Sequence, residues 1–158
     1  MTTLDFQDAL VKDVNEALKD VFTTDAKGER VSGVNVYAQN LPIIESDEED
    51  DSQFVPYAIV KLYSGETEDD ETPWTVTADI HFCIHDAGSE NQGHRHVMVM
   101  CQKLIDRYAA EPLLDRRYRA RQDMEWALQD DESHPYFFGG VRIKFDIPKI
   151  GRRIPFNG

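Results

Sequence analysis

The chain has 158 residues, with 17 Lys and Arg against 30 Asp and Glu for a formal charge of −13, and 41% of its residues are hydrophobic. A chain of this length buries roughly 68–70% of its unfolded surface, so one domain holds together without a disulfide framework, and Cys83 and Cys101 point instead to a reducing compartment. Charges in the first residues and the lack of any long apolar run argue against a signal peptide or a membrane span, and the acidity argues against general affinity for nucleic-acid phosphates.

The periodicity predicts a helix from Leu4 to Phe22, with Phe6, Leu10, Val14, Ala17, Leu18 and Val21 on one face, Thr3 as N-cap and Asp5 and Asp8 in the first turns. Residues 23–30 (TTDAKGER) read as a turn, and Val31 to Leu41 as a strand stopped by Pro42. Phe54 to Tyr63 is a second strand, apolar on both faces. Trp74 to His85 alternates apolar and polar residues without a break, the firmest strand in the chain. A turn then leads to a helix from His94 to Ala110, ended by Glu111 and Pro112. Strands follow near Tyr118 to Gln129 and from Tyr136 to Ile147. The order αβββαββ predicts a single α+β domain over residues 1–150, a largely antiparallel or mixed sheet with two main helices packed on it, and a short basic tail over residues 151–158.

Charge is unevenly spread. Residues 1–93 hold 21 acids and 5 bases, whereas residues 94–158 hold 9 acids and 12 bases. Two runs are densely acidic: Glu45, Asp47, Glu48, Glu49, Asp50 and Asp51, then Glu66, Glu68, Asp69, Asp70 and Glu71. A like-charged run resists packing, so both are expected as mobile, solvated loops between strands; neither has the alternating spacing of a calcium loop.

His81, Cys83 and His85 share one face of a predicted strand, with His94 and His96 close behind. Imidazole and thiolate are zinc ligands, but alternate residues on a strand lie about 6.5–7 Å apart at Cα and cannot wrap around an ion as loop ligands do. The simpler expectation is a half-buried polar face packed under the second helix. No nucleophile elbow, phosphate-binding glycine loop or HExxH accompanies Cys83, so neither enzyme activity nor a cofactor is expected. Gly139 and Gly140 suggest a bulge or a close backbone approach.

The strand ending at Asp86, the helix opened by Asn91, Gln92 and Gly93, the segment carrying Trp126, Leu128, Gln129, Pro135, Tyr136, Phe138 and Gly139, and the close on Pro148 and Ile150 together resemble one family. It is that of the small tail terminator (tail completion) proteins of long-tailed phages and prophages of Gram-positive hosts, and the likeness covers roughly residues 54–150. It implies a structural, non-catalytic protein that forms a ring, typically hexameric, at the head-proximal end of the tail. Its partners would be further copies of itself, the tail tube protein and a head-completion or neck protein; it would occur in host cytoplasm during assembly and in the virion afterwards. DNA would pass through the ring without specific binding. Within that picture Arg116, Arg117, Arg119 and Arg121 are expected to meet acids of an adjacent subunit, and at least one acidic run to line or rim the opening, repelling phosphate. The alternatives are another neck or head-to-tail connector, or a small metal- or thiol-dependent cytoplasmic enzyme built on His81, Cys83 and His85.

Overall fold

In the computed structural model, which describes residues 2–148, the chain opens with helix α1 (Thr3–Ala17). Its cap is Thr2, not Thr3: the Thr2 hydroxyl accepts from the Asp5 amide at 3.1 Å, and the Asp5 carboxylate accepts from the Thr2 amide at 2.9 Å. Thr2 has an acid three positions on, whereas Thr3 has Phe6 there, so only Thr2 can close this reciprocal box. The helix also stops at Ala17, short of the expected Phe22. Leu18 and Val21 stay buried beyond its end, so the apolar spacing continues where the helical backbone does not.

The expected strand from Val31 to Leu41 is two strands that serve different partners. Strands β1 (Phe22–Thr24) and β2 (Arg30–Ser32) form a hairpin, using residues read as turn, while β3 (Asn35–Ala38) leaves to pair elsewhere. The break is Gly33, whose φ of +77° is open to glycine and strained for residues with a side chain. Strand β4 (Tyr57–Glu66) begins after a single 3-10 turn, Asp51–Phe54, three residues later than expected. Then come β5 (Trp74–His85), helix α2 (His94–Ala110), a two-residue strand β6 (Leu113–Leu114) that the sequence does not announce, β7 (Tyr118–Leu128) and β8 (Tyr136–Ile147).

Across the sheet the order is β3-β4-β5-β8-β7-β6, with the β1–β2 hairpin attached to the far end of β5 through Thr24 and His85. All pairs are antiparallel except β3 with β4. This is the α+β domain anticipated above. The basic tail expected over residues 151–158, and Ile150 with it, lie outside the described residues.

Both helices pack on one face of the sheet. Phe6, Leu10 and Val14 of α1 and Val97, Met100, Leu104 and Tyr108 of α2 meet Ile80, Phe82 and Ile84 of β5 and Val141, Ile143 and Phe145 of β8. The helices are tied together as well, because the Tyr108 hydroxyl donates to Asp13 at 2.6 Å and Arg107 pairs with the same carboxylate at 3.3 Å.

The opposite face of β5 is not under α2, contrary to expectation. It is nevertheless largely buried: Thr75, Thr77, Asp79, Cys83 and His85 are all enclosed. At one end the cover is a second apolar cluster of Val55, Tyr57 and Cys83 with Tyr37, Leu41 and Phe54. These residues come together because a parallel β3–β4 pair needs a crossover, and residues 39–56 supply one with a single 3-10 turn in place of an α-helix.

Phe82 is 1% exposed at the centre of the helix-side core. Phe82→Ala is expected to lower unfolding free energy in denaturant titrations by about 3–5 kcal/mol; an unchanged midpoint would contradict this packing.

Candidate functional site

The histidines and cysteines that could have formed a centre do not converge. His85 is buried, its Nδ1 2.9 Å from the Thr24 hydroxyl, and that hydroxyl donates to the His85 carbonyl at 2.8 Å. The imidazole nitrogen is therefore the donor in the first bond. His81 is exposed, 4.0 Å from Asp79, and burial of part of the ring, with Lys61 second, lowers its pKa. His96 reaches instead to Asp86 at 3.5 Å. Cys83 is 2% exposed, and burial pushes its thiol up to about 12. Cys101 lies on the other side of the sheet, in the helix-side core, and is pushed up to about 11 for the same reason. Among the described residues no three His, Cys, Asp or Glu side chains gather where one ion could bind them.

Several of the residues that carry the family resemblance come together, namely Asp86, Asn91, Gly93, Gln129, Pro135 and Phe138, whereas Pro148 lies beyond the other end of β8. Asp86 follows β5, and its amide donates to the Pro135 carbonyl at 2.8 Å. Asn91 holds a left-handed backbone, φ 57°, and its side-chain amide donates to Glu132 in the β7–β8 loop. Gly93 lets α2 start directly over Phe137, since a Cβ there would stand 2.3 Å from that ring. Gln129 closes the same loop: its carbonyl oxygen accepts from the Phe138 amide at 2.6 Å, and its amide donates to the Ser133 hydroxyl at 2.8 Å. The end of β5, the start of α2 and the β7–β8 turn are thus one hydrogen-bonded corner. These contacts explain how the corner is built.

On the sheet face away from the helices, Arg142 of β8 makes a bidentate pair with Asp79 of β5 at 2.7 and 2.9 Å, and its guanidinium lies 4.2 Å over the Tyr63 ring. The pairing neutralises a carboxylate that is 8% exposed. Sequence reading missed this pair because only the β5–β8 register sets residue 79 opposite 142. Beside it a groove of about 430 Å³ is lined by His81, Glu125, Phe138 and Gly140. Gly140 forms part of that surface for a steric reason: a Cβ would come within 2.4 Å of the Ile80 carbonyl oxygen.

The arginines divide into two kinds. Arg117 pairs with Asp115 at 2.6 Å and lies over the Tyr118 ring; Arg121 pairs with Asp146 at 2.9 Å and donates to the Thr75 hydroxyl at 2.7 Å. Arg116, in the turn before β7, and Arg119, on β7, are exposed, and their side chains make no hydrogen bond or ion pair among the described residues. The acidic runs flank β4. Glu45, Asp47, Glu48, Glu49, Asp50 and Asp51 lie in the β3–β4 crossover, where Asp50 caps the 3-10 turn by accepting from the Ser52 amide at 2.9 Å. Glu66, Glu68, Asp69, Asp70 and Glu71 form the β4–β5 hairpin end, where Asp69 accepts from the Glu71 and Thr72 amides at 2.9 Å. Ten strand residues hold the two runs roughly 30 Å apart. The first run therefore lies in the crossover on the β3–β4 side of the sheet and the arginines on its β6–β7 side, whereas the second run lies near enough to Arg121 for Glu68 to act on its charge.

No protein-family profile matches this chain, and no curated protein does. Among solved structures thirty chains match. One, known only by a sequence identifier, superposes with a TM-score of 0.54 at 12% identity, covering 96% of this chain and 99% of its own. That likeness extends over the whole domain and concerns its fold.

The thiols give a direct check on the site. Ellman's reagent at pH 8 is expected to titrate neither Cys83 nor Cys101 in the folded protein and both after denaturation. Because both thiols titrate higher folded than unfolded, they favour the folded state fully below pH 9 and lose that contribution as the pH rises toward about 12. Rapid labelling of native protein would show that one side chain is not enclosed.

Proposed function

We propose that this protein is a tail terminator of a long-tailed phage or prophage: a structural ring, hexameric by the resemblance, that ends tail-tube growth and presents the surface to which the head joins. The observation that carries the reading is the placing of charge on the sheet. Arg116 and Arg119, whose side chains make no ion pair among the described residues, stand on the β6–β7 side, and the Glu45 to Asp51 run lies in the crossover on the β3–β4 side. A subunit with complementary charge on two different sides associates head to tail, and such contacts close into rings. The corner joining Asp86, Asn91, Gly93, Gln129, Pro135 and Phe138 supports it further, since these residues of the resemblance form one structural unit. In the proposed ring the exposed hairpin end carrying Glu66 to Glu71 rims the opening, where carboxylates keep passing DNA from adhering.

The test is to add the protein to its cognate tail-tube protein during polymerisation and to measure tube lengths by electron microscopy. A terminator yields short tubes capped at one end by a ring; unchanged lengths and bare ends reject the reading. Arg116→Glu combined with Arg119→Glu is expected to weaken ring assembly by about tenfold or more, as rim charges act mainly on association. Arg121→Gln, whose partner is internal, is expected to act mainly on stability. Capping that survives the double reversal would remove the electrostatic basis for the ring.

A further inference from the structure

Among the described residues the outer edges of β2 and β6 have no neighbouring strand, and the same holds for two longer stretches on opposite sides of the β5–β8 ribbon, one in β7 and one in β3. Beyond Ala120, β7 is paired on one side only, because β6 faces just Tyr118 and Arg119 and the last bond on that side is the Ala120 amide to the Pro112 carbonyl at 2.8 Å. Gln129 donates its amide to the Phe138 carbonyl at 3.1 Å, on the β8 side. Antiparallel pairs alternate, and Ala127 faces Gly140 and Glu125 faces Arg142 in register. The inward hydrogen bonds thus fall on Gln129, Ala127 and Glu125, and the amides and carbonyls of Met124, Trp126 and Leu128 point out of the sheet. At the other edge Asn35 donates to the Pro56 carbonyl and Gln39 to the Val60 carbonyl, both at 2.9 Å, on the β4 side. The amides of Val36 and Ala38 between them point outward by the same alternation.

Edge strands are normally guarded by Lys, Pro or clustered charge. From Met124 to Leu128 the only charge is Glu125, and Trp126 stands 54% exposed. Asn35–Ala38 carries no charge at all. The two open stretches are similar in length, five residues against four, and differ in the charge at their flanks: Arg116 and Arg119 precede the β7 stretch, with Asp123 between, and the Glu45 to Asp51 run follows the β3 stretch.

We infer that the β7 edge from Met124 to Leu128 receives the β3 edge, Asn35–Ala38, of a second copy of this chain, so that the sheets of adjacent subunits continue into one another. The inference rests on the ring reading above and supplies its junction. Because the two edges differ, each junction leaves one open edge of each kind, and addition continues until the ring closes. Backbone hydrogen bonds supply the pairing, the outer charges set the partner's direction, and Trp126 is covered in the process.

The test uses Trp126→Pro and Ala38→Pro, each removing an amide that points away from its own sheet, a position where proline is tolerated. Circular dichroism and thermal melting establish folding, and Trp126→Lys serves as the second β7 variant. Native mass spectrometry of the wild type is expected to show a closed ring, and of either variant alone a monomer. An equimolar mixture is expected to give a dimer and nothing larger, because one intact edge of each kind remains. Rings that survive either proline, dimers of Ala38→Pro alone, or a wild type that stays monomeric would overturn the inference. Proline variants that still cap tail tubes would overturn the junction and leave the terminator reading standing; a wild-type ring lost in both variants but unable to cap tubes would do the reverse.

Discussion

Twelve consecutive residue pairs join β5 to β8, from Trp74 with Ile147 to His85 with Tyr136, and every other element takes its place from that ribbon. One face receives both helices and the other receives the β3–β4 crossover at one end and the Asp79–Arg142 pair further along. A ribbon covered on both faces tolerates little bulk, which is why glycine stands at positions 139 and 140. A Cβ at the first would come 2.7 Å from Val97 of α2, and at the second 2.4 Å from the Ile80 carbonyl of β5. The pair of glycines marks the ribbon pressed from the helix side and from its own neighbouring strand at successive residues.

Elements whose fate is decided by their own side chains were legible in the sequence. The period of two in β5 and the three-to-four spacing in α2 predict their ends to the residue, because each buries one continuous apolar row. Elements decided by a backbone angle or a distant partner were not. Gly33 has the look of an ordinary strand residue until its positive φ sends β2 and β3 to different neighbours. The polar row of β5 reads as half-solvated, yet most of it is enclosed by residues 39–56 and by side chains across the sheet.

The same division holds for the candidate site. Net charge per segment was readable, and so were the two acidic runs and the four arginines. What each charge does depends on pairing across the sheet. Asp146 of β8 stands opposite Arg119 in register, yet its carboxylate is taken by Arg121, two residues further along β7, and the Arg119 side chain makes no ion pair among the described residues. Trp126 is apolar and sits in a strand pattern, which by composition alone suggests core; its place on the last-paired edge puts it in solvent instead. Strand order, more than residue type, separates what is available to a partner from what the chain uses itself.

The order of synthesis gives the acidic hairpin end between β4 and β5 a second consequence. β5 finds β4 across a short loop, but its other neighbour, β8, is made some fifty residues later, after α2 and β7. Until then a nascent hairpin with an apolar face and an unfilled edge is exposed to other chains, the situation in which sheet proteins aggregate. Glu66, Glu68, Asp69, Asp70 and Glu71 sit at the tip of that hairpin. Like charges on every copy keep unfinished chains apart during the interval, in the manner of gatekeeper residues beside an unavoidable hydrophobic strand.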